Sequence, residues 1–308
     1  MKELAIIIPA YKSTYLQFAL DSLASQTCKD FTVYIGDDCS PYDLKSIVDD
    51  FLEEIDIVYH RFDTNVGGKD LVAQWERCIS LSKGDPYLWL FSDDDIMQPR
   101  CVESYLNLQN DIRDNYLVHF DIGIIDEFNS GNIDYLPEYP QILTAKDYLD
   151  QKLQGKIVSY VVEFVFSRKI YLKSNGFLNF DLAWGADFMT WLKFANCCNG
   201  IYNISVPGSK VLWRRSNENI SPDKSYSILK RKINSLIENA AYIRHFLSNN
   251  GFVPSFKYAK FVWGEIRRNR KRFNSNDLSE FGRIFREKVG FPLWAYASEI
   301  LIKIMNVR

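Results

Sequence analysis

Residues 4–13, LAIIIPAYKS, contain the pattern that decides the fold. Leu4 to Pro9 is an apolar, isoleucine-rich run that ends at a proline, which predicts a strand buried on both of its faces. A polar segment, 10–13, follows the run directly, and Tyr15 to Gln26 then shows the apolar spacing of an amphipathic helix. The chain therefore opens with a strand, a polar loop and a helix.

The same order recurs further along the chain. Strands are predicted at 31–35, 55–61 and 87–91, and helices at 44–52 and 69–82. This alternation predicts an α/β fold with a parallel sheet and helices on both faces. Ligands of such sheets bind beyond the carboxyl ends of the strands, so the polar residues that follow each strand are the candidates for function.

The rest of the chain divides at a predicted boundary near Pro222, between a first domain, 1–221, and a helical region, 222–308. Before the boundary, the pattern predicts strands at 116–125, 158–167 and 206–215, a helix at 188–197, and a long loop at 126–141. Loops of that length often serve as lids or binding loops. After the boundary, helices are predicted at 225–247, 255–272 and 277–289.

Composition excludes several classes of protein. The 308 residues carry a net charge of −2, so no global field attracts nucleic acid, and we expect no nucleic-acid partner. The six cysteines form no C-x-x-C pair, which indicates reduced thiols. The apolar run at Leu4 is too short for a signal-peptide core, and no stretch reaches the roughly 18 apolar residues of a membrane span. We therefore expect a cytoplasmic protein.

Acidic residues follow the predicted strands, most conspicuously Asp93, Asp94 and Asp95. Three adjacent carboxylates repel one another, and their pKa values rise unless a cation compensates them. A hard divalent cation with oxygen ligands would do so, since magnesium typically binds one or two carboxylates together with substrate phosphates. The alternative is a solvated acidic turn that caps a helix near Pro99.

Two further loops have both a functional and a plain interpretation. Asp37 and Asp38 follow the second strand, where one carboxylate could accept hydrogen bonds from a nucleoside, although such clusters are also ordinary turn formers. The segment 65–68, NVGG, would let backbone approach a ligand closely, or it is a simple turn. There is no G-x-G-x-x-G and no Walker lysine motif, which argues against a dehydrogenase and a P-loop enzyme.

Asp187 lies among aromatic residues in the sequence, namely Phe177, Phe180, Trp184, Phe188 and Trp191. A carboxyl group that is partly desolvated by such neighbours should have a raised pKa, in the range useful for a general base. The alternative is that Asp187 caps the following helix, and Asp181 is the nearest competing acid.

A basic stretch, 257–272, carries seven Lys and Arg residues against Glu265 alone, interleaved with aromatic and apolar residues. Such a helix can lie on an anionic membrane, so peripheral contact with the inner face of the membrane is one interpretation. An ordinary packing helix with a solvated face is the other, and the one we favour.

Taken together, five collinear segments within residues 2–221 resemble glycosyltransferase family 2, an inverting family with the GT-A fold, a Rossmann-like and mostly parallel sheet flanked by helices. The segments are IIIPAYKSTYLQFALDSLASQT, YIGDDCSP, NVGGKDLVAQWERCISLSKGDPYLWLFSDDDIMQP, FLNFDLAWGADFMTWLKFA and VLWRRSNENIS. Three motifs depart from the family pattern. Ser92 replaces the first acid of a D-x-D-D motif, Cys39 stands in a turn that is often DGS, and Trp75-Glu76-Arg77 replaces Ala-Arg-Asn.

The resemblance implies roles for particular residues. Asp187 would be the catalytic base, and Asp94 and Asp95 would hold Mn²⁺ or Mg²⁺. The nucleotide-sugar, expected to be a UDP-sugar, would contact Pro9, Tyr11, Lys12, Asp37, Asp38, Asn65, Gly67, Lys69, Asp93 and Asp94. The acceptor would be a surface glycan or a lipid-linked saccharide that approaches under the loop 126–141. Two alternatives are a nucleotidyltransferase that makes nucleotide sugars and a non-catalytic module that binds them.

Overall fold

A computed structural model of the protein describes residues 2–127, 131–216, 223–253 and 257–290. The described residues form two compact units, the first from within 1–179 and 190–219, the second from within 180–189 and 220–308. The predicted boundary near Pro222 falls in 217–222, outside the described residues, so a division at that point stays a prediction. The segment 180–189 belongs to the helical unit.

An eight-stranded sheet forms the core of the first unit, in the order β3-β2-β1-β4-β10-β6-β11-β9. Its strands are β1 Leu4–Ala10, β2 Phe31–Asp37, β3 Asp56–Arg61, β4 Tyr87–Leu90, β6 Leu117–Phe120, β9 Ile142–Leu143, β10 Phe164–Ser167 and β11 Ile201–Ile204. The strand β1 lies between β2 and β4 and is parallel to both, with Ile6 opposite Val33 and Trp89. Residues 4–8 of β1 are fully buried, as the apolar run predicts.

A second, four-stranded sheet has the order β5-β12-β7-β8. It consists of β5 Ile96–Met97, β7 Ile122–Ile125, β8 Ile133–Tyr135 and β12 Val211–Arg214. The single strand predicted over 116–125 is wrong, because the chain leaves the large sheet at the buried Asp121 and enters the small one. The long loop predicted over 126–141 is also partly wrong, since β8 pairs with β7 through Ile133 opposite Ile125.

Helices alternate with the strands along the first part of the first unit, as predicted, and among the described residues further helices that were not predicted follow β4. They are α1 Leu16–Ala24, α2 Leu44–Asp49, α3 Leu71–Ile79, α4 Cys101–Leu106, α5 Asn110–Asn115, α6 Ala145–Leu153 and α7 Arg168–Lys173, and α8, Ala186–Cys197, begins within the segment of the second unit. Side chains cap several of these helices. Asp70 accepts the Ala73 N–H and so caps the start of α3.

The second unit contains the helices α9 Tyr226–Asn249, α10 Lys257–Arg268 and α11 Ser275–Val289. The buried side of α9 repeats at helical spacing and includes Leu229, Ile233, Leu236, Ile237, Ala240 and Ile243. Asn274 and Asp277 form a capping box at the start of α11, and Gly290, with φ of 63°, ends it. Within the described ranges, none of the helices combines the length and apolarity needed to cross a bilayer.

Candidate active site

The acidic segment after β4 is joined to the loop after β1 by Asp93. The two strands are parallel neighbours, so their carboxyl ends meet at one edge of the sheet. The Asp93 carboxylate accepts hydrogen bonds from the backbone N–H groups of Tyr11, at 2.8 Å, and Lys12, at 2.9 Å. Asp93 therefore fixes the backbone of the loop that carries two predicted donor contacts. We call this edge, with residues 9–12, 37–40, 65–69 and 92–95, the donor edge.

Asp94 and Asp95 lie beside Asp93, and both are buried. The Lys12 ammonium is 2.9 Å from Asp94 Oδ2, and the backbone N–H of Arg214 donates to Asp95 Oδ1 at 2.6 Å. The Ser92 hydroxyl lies 2.9 Å from Asp94 Oδ1 and 2.7 Å from Asp95 Oδ2. A hydroxyl has one proton to donate, so it can serve only one of these two carboxylates at a time.

The carboxylate cluster is short of positive charge. Burial, reinforced by the charge of Asp94, raises the pKa of Asp93 to about 6 and holds the pKa of Asp95 well above its usual range, although Lys12 opposes both shifts. Burial also lowers the pKa of the Arg214 guanidinium, the other cation of the cluster. Added positive charge at this point would therefore stabilise the ionised carboxylates.

The divalent cation predicted at Asp94 and Asp95 would have to be shared with a ligand. Among the described residues, no group of three or more His, Cys, Asp or Glu side chains is arranged to hold a metal ion by itself. Each of the three carboxylates already accepts hydrogen bonds from protein groups. Hydrogen bonding therefore does not distinguish Asp94 and Asp95 as metal ligands, and that role stays a prediction. Magnesium sites of this kind use one or two carboxylates and take their remaining ligands from phosphates and water.

Asp37, at the end of β2, is fully buried and is bonded to protein groups. Its carboxylate accepts hydrogen bonds from the Ser40 N–H at 2.7 Å, the Tyr59 hydroxyl at 2.5 Å and the Arg61 guanidinium at 2.7 Å. Arg61 also donates to the Ser40 carbonyl at 2.8 Å. These bonds make Asp37 the anchor of the turn after β2, where Cys39 has a positive φ of 53°.

Asp38 joins the turn after β2 to the turn after β3. Its carboxylate accepts hydrogen bonds from the backbone N–H groups of Val66, at 2.7 Å, and Gly67, at 2.8 Å, and from the Arg77 guanidinium. A Cβ atom on Gly67 would lie 2.7 Å from Asp38 Oδ2, which explains the glycine at this position. The nucleoside contact predicted for Asp37 or Asp38 stays a prediction, because both carboxylates are engaged by protein donors.

The other predicted donor residues lie at the same edge with different exposure. Pro9 is half-buried within β1, whereas the Tyr11 side chain is 42% exposed. Asn65 and Lys69 are exposed, and the Asn65 side chain accepts the Gly68 N–H at 2.9 Å. The side chains of Tyr11, Asn65 and Lys69 are therefore accessible to a ligand, and their contact with a nucleotide stays a prediction.

Sequence reasoning missed the arginines that hold this edge together. Arg77 comes from the Trp75-Glu76-Arg77 departure, and its guanidinium bonds Asp38 and the Thr64 carbonyl and lies 3.8 Å from the Phe62 ring. Arg214, at the end of β12, is buried and donates to the Asp94 carbonyl at 2.7 Å. The sequence places Arg214 near the end of a predicted strand, which marks it as a candidate site residue. Only the fold shows that it reaches the acidic loop.

Asp187 lies in the first turn of α8 and is half-buried. The helix begins at Ala186, so Asp187 is not its N-cap. The aromatic residues near it in sequence divide between the two units. Phe177 and Trp191 pack edge to face in the first unit, at 5.5 Å, whereas Trp184 belongs to the second.

The family model for "Glycosyl transferase family 2" matches residues 5–173, which is more than half of the chain. The chain belongs to glycosyltransferase family 2. The matched region contains the whole donor edge and ends before Asp187, so family membership rests on the sheet and its loops. No curated protein matches the chain significantly.

Solved structures confirm the predicted GT-A fold of this family 2 member. The crystal structure of S. aureus TarS 1-349 in complex with UDP-GlcNAc aligns with a TM-score of 0.63 at 16% identity, over 98% of this chain and 89% of that chain. A crystal structure of S. aureus TarS 1-349 aligns with a TM-score of 0.59, again at 16% identity and with the same coverage. The longer TarS structure aligns at 0.55 and 15% identity, over 98% of this chain and 54% of its own.

Proposed function

We propose that this glycosyltransferase moves a sugar from a UDP-sugar to a hydroxyl of a surface glycan or lipid-linked saccharide, with inversion and with Mn²⁺ or Mg²⁺ as cofactor. The observation that carries the proposal is the buried cluster of Asp93, Asp94 and Asp95 with Lys12 at the carboxyl edge of β1 and β4. The TarS structures supply supporting context, since one is described in complex with UDP-GlcNAc and another with UDP.

On the donor side, the cluster would bind the diphosphate of the nucleotide sugar. Asp94 and Asp95 would hold the cation, which when bound supplies positive charge to the leaving nucleoside diphosphate. The Lys12 ammonium, 2.9 Å from Asp94, adds a second positive charge at the same place. Asp93 holds the backbone that carries Lys12, so its contribution is to position that charge.

On the acceptor side, Asp187 would take the proton from the acceptor hydroxyl. The freed oxygen attacks the anomeric carbon from the face opposite the nucleoside diphosphate. The new carbon–oxygen bond forms as the bond to the diphosphate breaks, and the electron pair leaves with the diphosphate. A single displacement of this kind inverts the anomeric carbon, so the configuration of the product tests the mechanism directly.

A thermal-shift screen of nucleotide sugars, with and without Mn²⁺, tests the donor assignment. A ligand present at a hundredfold over its dissociation constant stabilises the fold by about 2.7 kcal/mol. We expect a UDP-sugar to raise the melting temperature with Mn²⁺ and a chelator to remove the effect. Absence of any shift across the screen would contradict the proposal.

Turnover assays separate the two alternative functions. A nucleotidyltransferase would release pyrophosphate when supplied with a sugar 1-phosphate and a nucleoside triphosphate, and we expect no such release. A non-catalytic module would bind the donor but never release UDP, even by slow hydrolysis. Release of UDP that depends on Asp187 is the expected result.

A further inference from the structure

The turn that leads into α8 has an unusual backbone. Leu182 and Ala183 have positive φ angles of 59° and 52°, and Gly185 has φ of 82°. Non-glycine L residues rarely adopt this backbone conformation. It persists only where contacts with the surrounding structure hold it in place. Asp187 comes two residues after this turn, in the first turn of the helix. Whatever holds 181–185 therefore determines where the helix starts.

Three residues of α9 hold the turn. The Arg231 guanidinium donates two hydrogen bonds to the Asp181 carboxylate, at 2.9 and 2.6 Å. The Ser235 hydroxyl donates to the Asp181 carbonyl at 2.7 Å, and the Asn239 amide donates to the Trp184 carbonyl at 2.9 Å. The three residues are spaced by four, so they lie on one face of α9.

Two of these residues are polar groups that are buried on α9. Ser235 is fully buried and Asn239 nearly so, beside Leu236 and Ala240. Burial of a polar group is unfavourable unless it is hydrogen-bonded, and among the described residues the Asn239 Oδ1 atom has no partner. An apolar side chain would pack here without that penalty. We therefore attribute the asparagine at 239 to its hydrogen bond with the turn.

The turn is also closely fitted to α9. A Cβ atom on Gly185 would lie 2.3 Å from the Asn239 amide nitrogen, so the residue must be small as well as tolerant of positive φ. The Lys232 ammonium lies 4.3 Å from the centre of the Trp184 ring. Contacts from α9 thus reach both ends of the turn.

We infer that Arg231, Ser235 and Asn239 are positioning residues for the glycosyl transfer, which act by fixing the turn 181–185 and with it the direction of Asp187. The inference rests on the proposed function, in which Asp187 is the base. It gives the helical region a part in catalysis, because a misplacement of about 1 Å in a reacting group can lower the rate about a hundredfold.

The test compares Arg231→Ala with Lys230→Ala in the full chain. The Arg231 and Asp181 side chains are 45% and 43% exposed, so loss of this pair has little effect on stability and the variant will fold. Lys230, the adjacent residue, pairs with Asp277 at 2.9 Å and Glu280 at 3.1 Å, both on α11. It is a matched control, since its removal takes an ion pair from α9 but leaves the turn intact.

We expect Arg231→Ala to lower kcat about 10- to 100-fold with unchanged donor affinity, and Lys230→Ala to keep kcat within about twofold. Asn239→Ala should behave like Arg231→Ala. The exchange of Asp181→Arg with Arg231→Asp should recover kcat relative to either single change. Equal kcat for Arg231→Ala and Lys230→Ala, or a loss of donor affinity in proportion to kcat, would overturn the inference.

Asp187→Asn, measured beside these variants, separates this inference from the proposed function. Near-normal turnover of Asp187→Asn would show that Asp187 is not the base, and it would refute the positioning inference as well. An inactive Asp187→Asn together with normal kcat for Arg231→Ala and Asn239→Ala leaves the base in place and refutes only the positioning role.

Discussion

The donor edge is held together by residues of its own sheet unit, whereas the turn before Asp187 is held by a helix that comes some fifty residues later in the chain. At the donor edge, carboxylates bond the backbone of neighbouring loops, as Asp93 bonds residues 11 and 12. At the turn, side chains of α9 bond the backbone and the carboxylate of Asp181. The difference implies that donor binding and proton transfer can be impaired separately.

The largest expected effect is that of Asp187→Asn on turnover. Asparagine keeps the shape of the side chain but cannot accept the proton, and loss of a general base typically lowers the rate by about 10²–10⁴-fold. Donor affinity should not change, because the donor edge is intact. Parallel measurement of turnover and donor affinity checks both expectations. Lost donor affinity with a proportionate loss of turnover would instead make Asp187 a donor-binding or structural residue.

The converse effect is expected at the donor edge. Asp95→Asn and Asp94→Asn should weaken metal-dependent donor binding by at least the roughly 10- to 100-fold that is typical when a residue supporting a metal ligand is changed. Asp85→Asn is a matched control, because Asp85 is also buried but precedes β4, at the opposite edge, where it accepts the Tyr34 hydroxyl at 2.9 Å. Calorimetric titration of the donor, with and without Mn²⁺, measures the effect. Wild-type affinity and metal dependence in both site variants would show that the cation binds elsewhere.

A smaller effect is expected on stability when the anchor of the first acidic turn is removed. Arg61→Ala leaves the buried Asp37 carboxylate without its guanidinium partner, and hydrogen bonds to charged groups contribute about 1.5–3 kcal/mol. Because the Arg61 side chain is 46% exposed, solvent screening reduces the loss of stability, which should still exceed that of a pair exposed on both sides. Lys45→Ala, which removes an exposed pair with Asp49, should reduce stability by no more than about 0.5 kcal/mol.

Urea denaturation of the two variants measures this difference. A larger loss for Arg61→Ala than for Lys45→Ala is expected if the donor edge contributes to the stability of the sheet. Equal losses would mean that the turn after β2 keeps its structure without Arg61, and that Asp37 is anchored by Tyr59 and Ser40 alone.

The smallest effect is expected at α10, for which membrane contact stays a proposal. Tyr258, Ala259, Val262 and Ile266 are buried, so the helix packs with its apolar side inward and leaves a basic face. Attraction to anionic lipid would be worth about 1 kcal/mol for each basic residue near the surface. If the helix binds membrane, the protein should cosediment with anionic vesicles at low salt and be released at high salt, with neutral vesicles as control. No sedimentation at any salt concentration would retire the proposal.

Much of the first unit could be predicted because its signals are local. The run at Leu4–Ala10 is apolar throughout, and the strand it forms is buried on both faces. Acidic residues directly after strands identify the donor edge, since parallel strands end at a common edge. The passage of the chain from one sheet to the other at Asp121 could not be predicted, because it depends on buried contacts of Asp121 with the distant Tyr139 N–H and Asn203 amide.

The sequence by itself determined the alternation of strands and helices, the family, and the positions of the acids, because each depends on residues close together in the chain. Only the tertiary structure decided which groups balance those acids. Arg214 reaches Asp94 and Asp95 from about 120 residues away, and Arg231 reaches Asp181 from 50. Hydropathy and residue spacing do not predict such pairings. They arise when the sheet and the helices pack, because buried carboxylates and carbonyls require donors wherever the fold supplies them.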